Sequence, residues 1–196
     1  MKKTIQRVLA AVILFAMILS GGFSEVGKVH AEKQQGTTKR AIYVVFDNSG
    51  SMYGDGNKAW SQATYAMEVF AAMMNYESGD VMKVFPMHDI TTDGNTGSAT
   101  KSSMEIRGKD DIAQIHNTPK PGGTPYTQVN NAAGELTKLL NAGSVDEGWL
   151  VVLTDGDFDN DIPASGLKAD LEGKAAANEN LYVQYLAIGT DVKNIP

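Results

Sequence analysis

The feature that most constrains the fold of this chain is a set of four short apolar runs rich in β-branched residues. The clearest run occupies residues 41–46, and similar runs recur at 81–85, 149–153 and 181–188. An uninterrupted apolar run of this length is typical of a strand buried on both faces, because a half-exposed strand alternates apolar with polar residues. The four runs therefore predict a largely parallel sheet with helices on both faces.

Helical spacing between the runs supplies the helices that cover this sheet. Between the first two runs, apolar residues recur every three or four positions, at Trp60, Ala63, Met67, Phe70 and Met74. This spacing predicts an amphipathic helix over residues 58–76 that ends before Gly79. The same reasoning predicts a helix entered at residues 124–125 and closed near Gly143, and another within 166–178. Strands that alternate with helices predict an α/β chain with a doubly wound, Rossmann-like open sheet.

One further segment has the pattern of an edge strand. Ser102, Met104 and Ile106 alternate with their neighbours, which predicts that residues 101–106 form a strand paired antiparallel with 81–85. The predicted sheet is therefore mostly parallel with one antiparallel edge strand.

The start of the chain has the layout of a signal peptide. Lys2, Lys3 and Arg7 precede an apolar run at 8–19, and a small-residue site ends at Ala31. That run is shorter than the ~20 residues that a membrane-spanning helix needs, so cleavage after Ala31 is favoured over an uncleaved anchor. The predicted segments are a signal peptide at 1–31, a flexible lead-in at 32–39 and one domain at 40–196.

Cysteine content and charge narrow the classes of partner. The chain has no cysteine, which excludes disulfides, thiol chemistry and lipid attachment at a cysteine. Its net charge is −6, and removal of residues 1–31 leaves 13 basic and 22 acidic residues, a net charge of −9. Such a surface repels polyanions, so nucleic acid and anionic lipid are poor partners for it. We expect a secreted or cell-surface protein.

Oxygen-bearing residues follow two of the predicted strands and open one predicted helix. These segments are 47–51 after the first strand, 155–157 after the run at 149–153, and 122–124 before the second long helix. Ligands of open α/β sheets bind at the carboxyl ends of the strands, where these segments meet. The donors are carboxylates and hydroxyls, which favour Mg²⁺, Mn²⁺ or Ca²⁺ over zinc or copper. The candidate metal ligands are Asp47, Ser49, Ser51, Thr124 and Asp155.

These residues resemble the metal-ion-dependent adhesion site of the von Willebrand factor type A domain family. The matching motifs are Asp-x-Ser-x-Ser at 47–51, Gly-Gly-Thr-Pro at 122–125 and Leu-Thr-Asp-Gly at 153–156. The resemblance implies that Ser49 and Ser51 contact the metal directly and that Thr124 does so directly or through water. It implies that Asp47 and Asp155 act directly or through bridging waters.

The resemblance also implies a function and a partner. In this family a carboxylate of the protein partner completes the metal coordination, so we expect a binding module rather than an enzyme. Family domains continue after a segment like 187–191 with another helix, strand and terminal helix. The resemblance thus predicts that the last strand and helix are missing at residue 196, and that any membrane anchoring depends on a further C-terminal region.

Each motif also has a simpler interpretation. Residues 47–51 are compatible with an ordinary Asx or Ser turn, and Thr124 is compatible with a helix N-cap. Acidic residues alternate over 155–161, yet the spacing lacks the glycine and glutamate of an EF-hand loop.

Two other functions stay open at this stage. A metal-dependent hydrolase would need a base such as Asp157 or Asp159 to activate water, and no known catalytic motif accompanies these residues. The second is a role as assembly subunit of an envelope complex.

Overall fold

The sheet follows the predicted plan. The computed structural model describes residues 38–89, 101–115, 124–155 and 166–188, so residues 1–37 and 189–196 lie outside the description. Within these ranges the strands run in the spatial order β3-β2-β1-β4-β5, parallel except for β3, which pairs antiparallel with β2. The strands are β1 (Arg40–Phe46), β2 (Val81–Pro86), β3 (Met104–Ile106), β4 (Glu147–Thr154) and β5 (Leu181–Ala187).

Helices cover both faces of this sheet. They are α1 (Gly54–Met73), α2 (Lys109–Ala113), α3 (Thr127–Asn141) and α4 (Leu167–Ala177), with 3-10 turns at Gly50–Tyr53 and Tyr76–Ser78. Apolar residues of α1 and α2 belong to one core cluster, and those of α3 and α4 belong to a second cluster on the opposite face. The predicted doubly wound α/β class is confirmed.

Strand β1 is buried on both faces, as its unbroken apolar run predicts. Ile42, Val44 and Phe46 point into the cluster that contains α1, whereas Tyr43 and Val45 point into the cluster that contains α3. All of these side chains are buried. Full burial of each aliphatic or aromatic side chain stabilises the fold by roughly 1.5–3 kcal/mol, so both faces of β1 contribute to the core.

Strand β5 departs from the same expectation. Its sequence is as apolar as that of β1, yet only Leu181 is buried and the other six residues are half-buried or exposed. The reason is position, because β5 forms one edge of the sheet in the described part of the chain and pairs there with β4. Tyr182 partly compensates by stacking on Trp149, with ring centroids 4.3 Å apart.

The helix predicted over 58–76 is wrong at both ends. It begins at Gly54 and ends at Met73, and the next residue, Met74, is extended with ψ 141°. Asn75 then caps the 3-10 turn by accepting a hydrogen bond from the Ser78 N–H. Apolar spacing did not reveal this end, because the polar groups that fix it make no contribution to the periodicity.

The order of the strands reverses at β1 and β4. From β1 the chain passes through α1 to β2 on one side, whereas β4 lies on the other side of β1 and is followed by α4 on the opposite face. The carboxyl ends of β1 and β4 therefore flank the topological switch point, where open α/β sheets bind ligands. None of the helices within the described ranges has the length and apolar character needed to cross a membrane.

Candidate metal centre

Asp47 is held at the carboxyl end of β1 by three hydrogen bonds. Its N–H donates to the Leu153 carbonyl of β4 at 2.7 Å, one residue beyond the last paired position of β1. Its Oδ1 accepts the Ser49 N–H at 2.8 Å, and its Oδ2 accepts the Thr154 hydroxyl at 2.9 Å. The residue is fully buried, and these hydrogen bonds offset the cost of burying a carboxylate.

The hydroxyls of Ser49 and Ser51 lie within hydrogen-bond distance of each other. Their Oγ atoms lie 3.0 Å apart, with Ser49 buried and Ser51 exposed at the surface. The 3-10 turn that begins at Gly50 brings them together, and the Met52 N–H donates to the Ser49 carbonyl at 3.3 Å. Met52 is itself fully buried, so the turn is anchored in the core beneath α1. The contact between the two hydroxyls is part-buried, with Ser51 on its solvent side.

The turn alternative is present in the same segment. The bond from the Ser49 N–H to the Asp47 carboxylate, two residues back, is an Asx turn. It does not compete with a metal, because a carboxylate offers about four lone-pair sites and each hydroxyl oxygen offers two. The turn thus shapes the segment while leaving acceptor capacity at its oxygens.

The register of β1 and β4 places Asp155 beside this group. Phe46 pairs with Leu153, which puts Asp47 level with Thr154 and Asp155 one residue further along. The Thr154 carbonyl accepts the Ile188 N–H at 2.8 Å, so β4 stays bonded to its neighbour up to this point. Asp155 is half-buried, and residues 156–165 lie outside the described ranges.

Thr124 reaches the same edge through α3. Helix α3 runs antiparallel to the strands. Its last turn lies beside the start of β4, since a Cβ added to Gly148 would be 3.0 Å from Leu140 Cδ1. Fifteen residues span about 22 Å, which returns the first turn of α3 to the carboxyl ends of the strands. Thr124 is buried there, three residues before the helix begins. The N-cap of α3 is Tyr126, so the interpretation of Thr124 as a helix N-cap is wrong.

Two supporting residues escaped the sequence analysis. Thr154 fixes the Asp47 carboxylate, and Asn48 bonds the backbone of His88 through its side chain. In the sequence, Thr154 could have been identified as a polar residue at the end of an otherwise apolar strand. For Asn48 the signal was the strand register, because β1 and β2 pair with an offset of 40 residues, which brings position 48 opposite 88.

The donor set has the composition of a site for a hard cation. It consists of two carboxylates and three hydroxyls. Among the described residues, no group of three or more His, Cys, Asp or Glu side chains is suited to a metal. In an octahedral Mg²⁺ site with metal–oxygen distances of 2.0–2.1 Å, neighbouring ligand oxygens lie about 2.9 Å apart. The two hydroxyls hydrogen-bond to each other at 3.0 Å, a separation that is also compatible with that spacing.

Neither of two cavities in the described chain is lined by the proposed ligands. One of about 310 Å³ is lined by residues of α3 and the segment before β3, including Glu135 and Ser102. Another of about 520 Å³ lies at the amino ends of the strands, beside Asp146 and Asn178. Both are lined mainly by polar atoms, whereas pockets for small organic ligands are mostly apolar. The convergent oxygens at the carboxyl edge are the better-built candidate.

Comparisons with known proteins add no relative. A scan against models of protein families found no family that matches the chain, and a search of curated proteins found no matching protein.

Proposed function

We propose that this chain is a von Willebrand factor type A-like binding module that captures a protein partner through a bound divalent cation. The proposed ligands are Asp47, Ser49, Ser51, Thr124 and Asp155, and the proposed ion is Mg²⁺, with Mn²⁺ or Ca²⁺ as substitutes. The observation that carries the proposal is the 3.0 Å approach of the Ser49 and Ser51 hydroxyls beside a fixed carboxylate at the switch point.

Charge supports the choice of an acidic partner group. The domain without residues 1–31 carries a net charge of −9 and would by itself repel a carboxylate. The proposed site contains only two carboxylates. The negative charge of Asp47 is partly offset by the hydrogen bonds that it accepts from the Ser49 N–H and the Thr154 hydroxyl. A dication held mainly by neutral hydroxyls and water keeps affinity for one more hard oxygen ligand. An acidic side chain of the partner supplies it.

Exposure supports capture of a partner rather than storage of the ion. Ser51 lies at the surface while Asp47 and Ser49 are buried, so the proposed ion would be held from below and open above. An open coordination position is what a partner carboxylate requires. We therefore propose a binding role, and since no known catalytic motif accompanies the ligand residues in the sequence, we propose it without catalysis.

Metal binding is tested best at Ser51, because its exposure makes loss of the fold upon substitution unexpected. Titration calorimetry of the chelator-stripped domain with Mg²⁺ and Mn²⁺ should give one binding site, and Ser51→Ala should weaken it. The matched control is Ser61→Ala, which removes an exposed hydroxyl from α1 and should leave binding unchanged. Equal affinity in both variants would contradict the site.

The partner chemistry is tested with acetate as a minimal carboxylate. On the Mn²⁺-loaded domain, acetate should displace a metal-bound water and lower the relaxation enhancement of water protons. Methanesulfonamide or another neutral solute of similar size should have no effect. An unchanged enhancement at saturating acetate would mean that the ion offers no position to an acidic partner.

Export completes the proposal. Residues 1–31 lie outside the described part of the chain, and their basic start, apolar run and small-residue site support removal after Ala31. The mass of the exported protein should correspond to a chain that starts at Glu32. A mass that includes Met1 would indicate an uncleaved anchor.

A further inference from the structure

Asn48 lies in the sequence between two proposed ligands, Asp47 and Ser49, and its side chain bonds the backbone after β2. It is fully buried, and its side-chain Nδ2 donates to the His88 carbonyl at 2.7 Å. Its Oδ1 accepts the His88 N–H at 2.8 Å. One carboxamide therefore binds both backbone groups of a residue 40 positions away.

This pair of bonds prolongs the sheet beyond the end of the strand. Backbone pairing of β1 and β2 ends where Phe46 meets Pro86, followed by a bond from the Met87 N–H to the Phe46 carbonyl at 3.0 Å. A primary amide has the same donor and acceptor as a peptide group. The Asn48 side chain thus makes the next bonds of the ladder in register.

We propose that Asn48 is a positioning residue of the metal site, an inference that rests on the proposed function. It locks the exit of β1 to the exit of β2, and this fixes the direction of the Ser49 and Ser51 hydroxyls before an ion binds. Its contribution is to metal affinity, although it does not touch the ion. Groups that orient metal ligands in this way typically change metal affinity by about 10–100-fold when they are removed.

The opposite edge of the sheet provides a matched control. Asp80 is also buried, and its carboxylate accepts the Arg40 N–H and the Asn75 N–H, both at 2.9 Å. Like Asn48, it uses one side chain to bind two backbone groups next to a strand end. It precedes β2, so it lies at the amino ends of the strands, a full strand length from the proposed ion.

The experiment measures the dissociation constant of Mn²⁺ by electron paramagnetic resonance, together with the melting temperature of the metal-free protein. Asn48→Ala should raise the dissociation constant at least about tenfold. Asp80→Asn should lower the melting temperature of the metal-free protein and leave the Mn²⁺ constant unchanged. Equal Mn²⁺ constants for Asn48→Ala and the parent chain would overturn the inference, as would equal weakening by Asp80→Asn.

A second variant keeps the test valid if Asn48→Ala does not fold. Asn48→Asp retains the acceptor for the His88 N–H and loses the donor to the His88 carbonyl. Its added negative charge would tighten cation binding if charge alone mattered, whereas a positioning role predicts weaker binding. Tighter binding would overturn the inference. Absence of Mn²⁺ binding in the parent chain would instead overturn the proposed metal site itself.

Discussion

The amino and carboxyl edges of the sheet both carry aspartates, and they differ in what those aspartates bind. At the amino edge, Asp80 accepts two backbone N–H groups, from Arg40 and Asn75. Asp146 at the same edge accepts the Lys39 N–H at 2.9 Å. These N–H groups lie at the start of β1 and after α1, and the carboxylates complete the backbone hydrogen bonding there.

At the carboxyl edge, the bonds of Asp47 serve a different purpose. It accepts one backbone N–H, from Ser49, and one side-chain hydroxyl, from Thr154. The neighbouring hydroxyls of Ser49 and Ser51 contact each other and retain acceptor capacity. A buried aspartate at a strand end is therefore not by itself evidence of a site. The two edges differ in the groups that surround the aspartate. At the amino edge these groups are backbone N–H donors, whereas at the carboxyl edge they include hydroxyl oxygens that can still bind a ligand.

The largest expected effect separates the two edges directly. Asp47→Ala should abolish Mg²⁺ binding, and Asp80→Ala should preserve it. Both variants leave buried donors without acceptors, which costs about 1–3 kcal/mol of unfolding free energy in each case. Calorimetry and urea denaturation on the same samples give both quantities. Retained Mg²⁺ binding in a folded Asp47→Ala protein would remove the functional difference between the edges.

A smaller effect is expected at Thr154. Thr154→Val keeps the shape of the side chain and removes the hydroxyl that donates to Asp47 Oδ2. We expect roughly tenfold weaker Mn²⁺ binding, because a carboxylate without its orienting donor turns more freely. Thr154→Ser restores the hydroxyl and should restore affinity. If valine and serine behaved alike, packing rather than hydrogen bonding would account for the effect.

The ion itself should stabilise the domain. Saturation with Mg²⁺ at a hundred times its dissociation constant adds about 2.7 kcal/mol to the free energy of unfolding. The same increment is expected in Asp80→Ala, whose defect lies at the other edge, and none in Asp47→Ala. Thermal denaturation with and without chelator measures it. An increment that survives in Asp47→Ala would indicate a cation bound elsewhere.

The smallest effect concerns the amino edge at alkaline pH. Burial raises the pKa of Tyr76 from 10.0 to about 12, and the carboxylates of Asp111 and Asp80 add to the rise. Below pH 10 the folded and unfolded chains both keep this proton. Between pH 10 and 12 the unfolded chain loses it first, so the free energy of unfolding falls as the pH rises through that window.

Tyr76→Phe is the matched test of that window. The Tyr76 hydroxyl is buried and has no hydrogen-bond partner within the described segments, so its removal should cost nothing at pH 7. Denaturant titrations at pH 8 and pH 11 should show a shallower loss in the variant. An identical loss in both proteins would assign the alkaline sensitivity to other groups, such as Tyr43, whose pKa burial also raises to about 12.

The sequence predicted the elements that depend on local pattern. The strand runs, the antiparallel edge strand and the helix within 166–178 are all present, because burial on one or two faces leaves a period in the sequence. The exposure of β5 was missed, since an apolar run carries no information about which strand is outermost. The end of α1 was missed because side-chain bonds to the backbone set it.

For the candidate site, the sequence identified the oxygens and missed their supports. Ser49 and Ser51 were expected to converge, and their hydroxyls lie in contact. Asn48 was passed over as the variable position of the motif, since its partner is 40 residues away. Metal binding itself stays a prediction, because the complete site requires an ion and a partner carboxylate in addition to the ligands of the chain.

The double attachment of the β1 exit has a consequence for binding kinetics. Asp47 is bonded to β4 through its backbone N–H, and Asn48 is bonded to the β2 exit through its side chain, so both residues are already held in the folded chain. A cation that binds beside them would not have to immobilise that segment, and little conformational entropy would be lost there on binding. The rate of capture would then depend on how fast the ion sheds water, rather than on the closing of a loop.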